Sequence, residues 1–337
     1  MASKQMVHMN QGQGETSYAH NSSFQSAEQN RMKPLIDAAV VELCSNTTTM
    51  SHGKMVIADL GCSCGPNAVA LVSIALEATR SHFLRLRQPH PEVCVLLNDF
   101  PYNDFNTVVK SLVAVRQIGE PLVVTGIVPG SFYERLFPSG SVHLFCSSNS
   151  LHWLSKAPED LRINQIRRMI SMRMSGLRGQ ELVPEGRMVV SLPGRRSDEP
   201  VTKSSLIWGT AAQILGAMAS EGVIDKERLD SLYIPVHGPS DEELREIIQE
   251  EGSFSISEMR VHDPISGMDR ALLTPNRMVN SLRAAFEPII VQHFGSPGEI
   301  MDEFVRTGEE HLSLQRRSQV KHARNPRVML VVSLTKA

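Results

Sequence analysis

No stretch of the chain holds the roughly 18 consecutive apolar residues that a membrane-spanning helix needs, and Met1 to His20 lacks an apolar signal core. The cytosol is the expected setting. Cysteine is scarce and odd in number, five in all at 44, 62, 64, 94 and 146, so no disulfide framework is expected. Cys62-Ser-Cys64 has no second close pair to complete a zinc site. Charge of either sign in excess is missing too: 34 basic against 36 acidic side chains leave a formal charge of −2. Without a polycationic face the chain is expected to bind neither nucleic acid nor an anionic membrane, which leaves a small molecule or another protein as partner. The closely spaced Gly-x-Gly-x-x-Gly of a pyrophosphate loop and the Gly-x-x-x-x-Gly-Lys-Ser/Thr of a phosphate loop are also absent. That leaves a nicotinamide dehydrogenase as the weakest of the enzyme classes considered.

What is there is 337 residues with 41% hydrophobic content, enough for a large core in one α/β unit or two smaller ones. The chain is organised around Met55-Val-Ile-Ala-Asp-Leu-Gly-Cys-Ser-Cys-Gly-Pro-Asn67, which reads as a buried strand, a tight turn and a helix start. Further apolar strands are expected at 93–97, 121–128, 142–146, 186–192 and 327–334, with a half-buried one at 252–257. Helical periodicity marks 32–44, 68–86, 103–115, 163–182, 204–220, 271–293 and 297–314, and Pro129 to Tyr133 is expected to open a short helix. Arg162, Arg167, Arg168, Arg173 and Arg178 would give 163–182 a solvated basic face, and the acid-rich 225–232 and 241–250 should face solvent.

Early strands that are apolar throughout and alternate with helices argue for a parallel sheet covered on both faces. Ligands then bind beyond the C-terminal strand ends. Four such ends carry polar or aromatic clusters, Asp59–Asn67, Asn98–Phe100, Gly130–Phe132 and Cys146–Trp153, as expected of one crevice at a topological switch point. Residues 1–30 are polar and have two readings. They compose a disordered arm, or a helix whose Ser17, Tyr18, Asn21, Ser22 and Gln25 share a face.

An acidic residue closing the first strand suits a cofactor with an amino group and no phosphate, and Asp99 closing the next is placed to accept ribose hydroxyl hydrogen bonds. S-adenosylmethionine meets both requirements. The bland alternatives are a helix-capping Asp59 and a turn-forming Asp99.

Five motifs make the sequence recognisable: Gly12-Gln-Gly-Glu-Thr-Ser-Tyr-Ala-His-Asn-Ser22, Ala58-Asp-Leu-Gly-Cys-Ser-Cys-Gly-Pro-Asn67, Leu97-Asn-Asp-Phe-Pro-Tyr-Asn-Asp-Phe-Asn106, Val128-Pro-Gly-Ser-Phe-Tyr-Glu-Arg-Leu-Phe-Pro138 and Ser147-Ser-Asn-Ser-Leu-His-Trp-Leu-Ser155. With them the chain resembles, over nearly its whole length, the plant SABATH methyltransferases. That group contains salicylate, benzoate, jasmonate and indole-acetate carboxyl methyltransferases and the caffeine-pathway N-methyltransferases. The resemblance implies a class I S-adenosylmethionine-dependent methyltransferase, with a Rossmann-like seven-stranded sheet and a helical cap over the acceptor pocket, in a single catalytic unit spanning 1–337. The core would take about 30–155, 186–195, 252–262 and 327–337, and the cap about 156–185, 200–250 and 265–325. Tyr18, Ser22, Asp59, Cys62, Asn67, Asp99, Phe100, Ser131, Phe132 and Cys146 fall on the family's S-adenosylmethionine positions, with Phe132 against the adenine. Gln25, Asn149, His152, Trp153, Ile207 and Trp208 fall on its acceptor positions.

The resemblance further implies a homodimer and, in some relatives, a peripheral magnesium ion at Asn164 and Asp230. Tyr233, standing where an Asn is usual, speaks against that metal. Asn149 stands where many relatives have Tyr, and the stretch between Asn164 and Glu181 is shorter than the family pattern. The expected reaction is methyl transfer to the carboxylate of a small plant acid, salicylate- or benzoate-like first, with jasmonate and indole-acetate as further options. Gln25, Trp153 and His152 would orient the acceptor through neutral donors. Two alternatives stay open: a methyltransferase with a nitrogen or other non-carboxylate acceptor, and a catalytically impaired binding or dimer partner, motivated by the short 164–181 segment.

Overall fold

The computed structural model describes residues 8–46, 50, 53–116, 122–154, 176–197, 208–295, 297–318 and 328–337. Seven strands, β1 (Lys54–Leu60), β2 (Glu92–Asp99), β3 (Val123–Pro129), β4 (Val142–Ser148), β5 (Leu182–Gly194), β6 (Phe254–His262) and β7 (Val328–Lys336), form one sheet in the order β3-β2-β1-β4-β5-β7-β6. From β1 the chain steps outward to β2 and β3, then returns to place β4 on the other side of β1. That reversal opens a crevice beyond the C-terminal ends of β1 and β4. The expected parallel arrangement holds for β1 to β5, whereas β7 runs antiparallel to both β5 and β6. An apolar run looks the same in either direction, so periodicity leaves that reversal unread.

Helices α1 (Tyr18–Asn21), α2 (Ser23–Ser45) and α3 (Ala70–Leu86) come early in the chain, and α4 (Phe105–Arg116) links β2 to β3. Leu35, Ile36, Val40, Leu71 and Val72 pack with Ile57, Val95 and Leu97 in one core. A second core joins Phe145, Val190, Leu330 and Val332 to α8 (Asp241–Glu251) through Leu244, Ile247 and Ile248. Burying each such side chain is worth about 1.5–3 kcal/mol, and this is why strands apolar on both sides suit this position. Helices α6 (Gly209–Ser220), α9 (Pro275–Phe294) and α10 (Pro297–Ser318) build a third core from Ile214, Leu215, Phe286, Ile289 and Phe304. Trp153, just past β4, is part of it.

Several local expectations change. The acid-rich 241–250 is α8, started by a Ser240–Glu243 capping box, and its apolar stripe packs on the sheet where a place in the cap was expected. The other acid-rich segment is the exposed α7 (Lys226–Ser231), as its composition indicates. No helix forms at 129–133, because the Ser131 side chain and carbonyl take up the amides of Tyr133 and Glu134 in a turn. Helix α6 begins at Gly209, after Trp208, and Ile207 lies outside the described residues.

Of the expected 163–182 helix only its end is described, as α5 (Gly176–Glu181), and β5 starts at Leu182, earlier than expected. Arg162, Arg167, Arg168 and Arg173 lie outside the described residues, but Arg178 is not solvated: its side chain is 0% exposed. Its Nε lies 2.8 Å from Glu181 Oε2, its Nη2 donates to the Glu134 carbonyl at 2.7 Å, and the guanidinium sits 5.5 Å from the Phe145 ring centre. Glu181 Oε1 in turn accepts the amides of Leu136 (2.7 Å) and Phe137 (2.9 Å). The pair therefore fixes the loop that follows the Ser131 turn. Arg178→Met, which keeps bulk but strands the Glu181 charge, should cost about 3–5 kcal/mol of unfolding free energy in urea titrations. A loss under about 1 kcal/mol would show that the pair does not hold this loop.

Candidate active site

The turn after β1 is held by its neighbours on three sides. Gly61 and Cys62 both donate their amides to the Asn98 carbonyl at 2.9 Å, which ties the turn to β2. Gly61 has φ +75°, and a Cβ there would lie 2.5 Å from Ser150 Cβ, whose hydroxyl donates to the Gly61 carbonyl at 2.8 Å. Gly65 has φ +83°, and a Cβ there would lie 2.8 Å from Ala19 Cα. Glycine is required at both places by conformation and by space.

Ala19 belongs to the polar N-terminal segment, and the helical alternative for that segment is the one observed. Ala19 and Ser22 dock on the turn, while Asn10 bonds the Ala284 carbonyl and Glu287 of α9. Ser17 caps α1 by accepting the His20 amide, and the chain kinks at Ser22 before α2. Asn67 Nδ2 donates to both the carbonyl and the hydroxyl of Ser22 at 2.9 Å, and Gln29 Nε2 donates to the Asn67 carbonyl at 3.1 Å. Asn21 turns back on its own loop instead, donating to the carbonyls of Glu15 and Ser17.

Between the docked segment and the strand ends lies a cleft of about 710 Å³, its open mouth included. All four strand ends expected to converge line it. Tyr18, Cys62, Asn67, Asp99, Phe100 and Phe132 from the expected cofactor set stand in its wall, as do Gln25, Asn149 and Trp153 from the acceptor set. Ser22 stands behind the wall, bonded to Asn67; Asp59 and Cys146 face each other across the β1–β4 ladder, and Ser131 is spent on its turn. His152 is buried and does not line the cleft; Trp208 is half-buried against the third core. Of the two suggested metal ligands, Asn164 lies outside the described residues and Asp230 is exposed on α7. Among the described residues no three His, Cys, Asp or Glu side chains cluster as a metal site.

The wall also contains residues that sequence reasoning missed, His8, Met9, Gln29 and Asn103, while Ser63, Ser148 and Ser150 fall inside the strand-end clusters expected there. Gln29 carried a signal, being one helical turn beyond Gln25. His8 and Met9 carried none.

The charge pattern is one-sided. No lysine or arginine lines the cleft among the described residues, while one acid, Asp99, stands in its wall and a second, Asp59, is buried close enough to couple to it. Asp59 is 2% exposed, and burial, reinforced by the nearby Asp99 charge, holds its pKa well above the usual carboxylate range; its Oδ1 has no partner. Burial raises Asp99 to about 6, although the amides of Ser63 (2.6 Å) and Phe100 (2.7 Å) bond its oxygens and pull the other way. Burial likewise raises the Cys62 and Cys146 thiols, so neither is an activated thiolate. Buried acids that lack cations suit a ligand that brings its own positive charge, and a sulfonium carrying an amino acid and a ribose does so.

The family model described as SAM-dependent carboxyl methyltransferase matches residues 4–174 and 172–337. The chain belongs to this family. Its two matched segments meet inside the stretch expected to be short. Similar proteins include jasmonate O-methyltransferase of Arabidopsis thaliana, 36% identical over 88% of this chain and 91% of the relative. Salicylate carboxymethyltransferase of Clarkia breweri is 36% identical over 87% and 89%. Among solved structures, loganic acid methyltransferase with S-adenosylhomocysteine superposes with a TM-score of 0.83 at 28% identity, covering 97% of this chain and 98% of that one. The chain is thus a SABATH carboxyl methyltransferase with the class I fold, and S-adenosylmethionine is its methyl donor. No helix among the described residues is long and apolar enough to cross a membrane.

A cationic donor bound beside Asp99 and Asp59 must lower their raised pKa values and so expel protons. The affinity for S-adenosylmethionine should therefore rise with pH up to about 6, roughly tenfold per unit for one linked proton. Calorimetry at pH 6 in two buffers of different ionisation enthalpy measures the release, and identical binding enthalpies in the two would contradict it.

Proposed function

We propose that this enzyme methylates the carboxylate of a small acid with an apolar body, of the benzoate or salicylate kind first, with jasmonate and indole-acetate in the same class. One observation carries the proposal: the cleft wall offers neutral donors, Gln25 and Trp153, and its one carboxylate, Asp99, is already held by two backbone amides. A carboxylic acid is ionised at neutral pH and needs no base, whereas many nitrogen or hydroxyl acceptors do. When bound, S-adenosylmethionine supplies an electrophilic methyl group on a sulfonium.

The rest of the task is placement. Gln25 presents an amide whose Oε1 is buried without a partner, and Trp153 presents an indole. Two neutral donors orient a carboxylate without quenching it, as an arginine would. Trp153 is well fixed: its amide donates to the Ser150 carbonyl at 3.1 Å, its carbonyl accepts from Tyr133 Oη at 2.5 Å, and its ring packs 5.8 Å from Phe286. Burial pushes His152 down to about 3, so its imidazole stays neutral and packs beside Trp153 as support. Holding the acceptor in line in a water-poor cleft is worth up to several kcal/mol. Asn149, at φ +54°, adds a polar side chain to the wall where a tyrosine would add an aromatic face. The proposal includes the homodimer that the family resemblance implies and the cytosolic setting expected from the sequence's lack of long apolar runs.

One observation favours the nitrogen-acceptor alternative enough to test: His8 lines the cleft, and its Nδ1 hydrogen-bonds to the Met9 carbonyl at 3.1 Å. As a base it would make turnover rise with pH and depend on His8. Labelled S-adenosylmethionine with a panel of benzoate, salicylate, jasmonate and indole-acetate, together with amine acceptors, decides the class. The expected result is turnover of an acid to a base-labile methyl ester, unaffected by His8→Asn. Trp153→Ala or Gln25→Ala should lower kcat/KM on the order of 10²-fold while the Kd for S-adenosylhomocysteine stays within about threefold. Transfer to amines alone, or unchanged turnover in both variants, would overturn the proposal.

A further inference from the structure

Helix α2 delivers Gln25 and Gln29 to the cleft wall, yet its first turn has no side-chain cap, and Gln25 Oε1 has no hydrogen-bond partner of its own. The position of Gln25 must therefore be set by whatever locates the helix. Toward the cofactor turn this is Gln29, through the Asn67 carbonyl. Toward the other side it is Glu28, a carboxylate only 2% exposed. Glu28 Oε1 accepts from the Ser191 hydroxyl on β5 at 3.0 Å, and Oε2 pairs with His262 Nε2 at the end of β6 at 2.9 Å. Arg31, one turn along α2, lies 3.5 Å from the same Oε2 and donates onward to the carbonyls of Pro264 (2.6 Å) and Ser266. Ser191 is also the residue whose carbonyl accepts the Asn149 amide at 2.9 Å. Through Ser191, one buried carboxylate thus links the helix bearing Gln25 to the loop bearing Asn149.

We propose that Glu28 is a positioning residue for the acceptor end of the cleft, setting the separation of Gln25 and Asn149, with Ser191 and His262 as its partners. The assignment of Gln25 and Asn149 to the acceptor rests on the carboxylate reading above. Glu28 touches neither substrate, and the donor side keeps its own tie through Gln29. Loss of the Glu28 links should therefore separate the two substrates: the acceptor end loosens while the donor end stays.

The test is steady-state kinetics of Glu28→Gln, His262→Gln and Ser191→Ala with benzoate and with jasmonate as acceptors, alongside calorimetry with S-adenosylhomocysteine. The acceptor KM should rise at least fivefold in Glu28→Gln and two- to fivefold in the other two, with kcat and the Kd for S-adenosylhomocysteine changed less than twofold. A residue that merely stabilises the fold would instead lower the active fraction, reducing apparent kcat and leaving each KM unchanged; that pattern overturns the proposal. If Glu28→Gln does not fold, unchanged acceptor KM in Ser191→Ala and His262→Gln overturns it equally. If the wild-type enzyme methylates neither acid, the carboxylate reading is what has failed. Hydrogen exchange then tests the link alone: in Glu28→Gln, or in Ser191→Ala where the former does not fold, amides 23–29 and Asn149 should exchange at least tenfold faster while β1 is unchanged. Unaltered exchange at those amides overturns the link.

Discussion

The close approach of the N-terminal segment to the turn after β1 is the constraint on which the rest of the site depends. Gly65 has no Cβ, and Ala19 occupies the space one would fill. Asn67 then bonds Ser22 twice, and Gln29 bonds Asn67. A polar segment with little apolar content of its own is ordered by these few contacts, made by the side-chain amide and the carbonyl of Asn67. Once seated, it turns an open crevice at the sheet's switch point into a walled cleft. Tyr18 and Gln25 both stand in its wall.

What the cleft does chemically follows from what its wall omits. Buried acids without cations suit a positive ligand, and under the proposed assignment of Gln25 and Trp153 to the acceptor, neutral donors would let its carboxylate keep its charge. Trp153 joins the two halves of the molecule. Its backbone is tied to the β4 loop and its ring belongs to the helical core of α6, α9 and α10.

The strands and the convergence of their ends were legible because strands buried on both faces are apolar throughout and stop abruptly at polar clusters, as Asp59 and Asn98-Asp99 do. The donor chemistry was legible from the same residues, since missing phosphate-loop glycines and two strand-end acids narrow the cofactors sharply. The N-terminal segment was half legible: the spacing of Tyr18, Ser22 and Gln25 suggested a helix face, but its order comes from contacts with residues far along the chain. Arg178 was misread because a charge on a helix looks solvent-facing until its partners, Glu181 and the 134–137 loop, are seen around it. His152 and Trp153 are neighbours in sequence, yet only the tryptophan reaches the cleft, a distinction set by how the chain bends after Asn149. The antiparallel β7 and the sheet-packed α8 depend on connections that local patterns do not encode.

The most direct test of this account is the affinity of Gly65→Ala for S-adenosylhomocysteine, measured by titration calorimetry on protein whose circular dichroism matches the wild type. Adding one methyl group where Ala19 packs should unseat the N-terminal segment and weaken binding at least about tenfold, roughly 1.4 kcal/mol. Affinity equal to the wild type in a folded Gly65→Ala protein would show that the segment does not hold the cofactor end of the cleft.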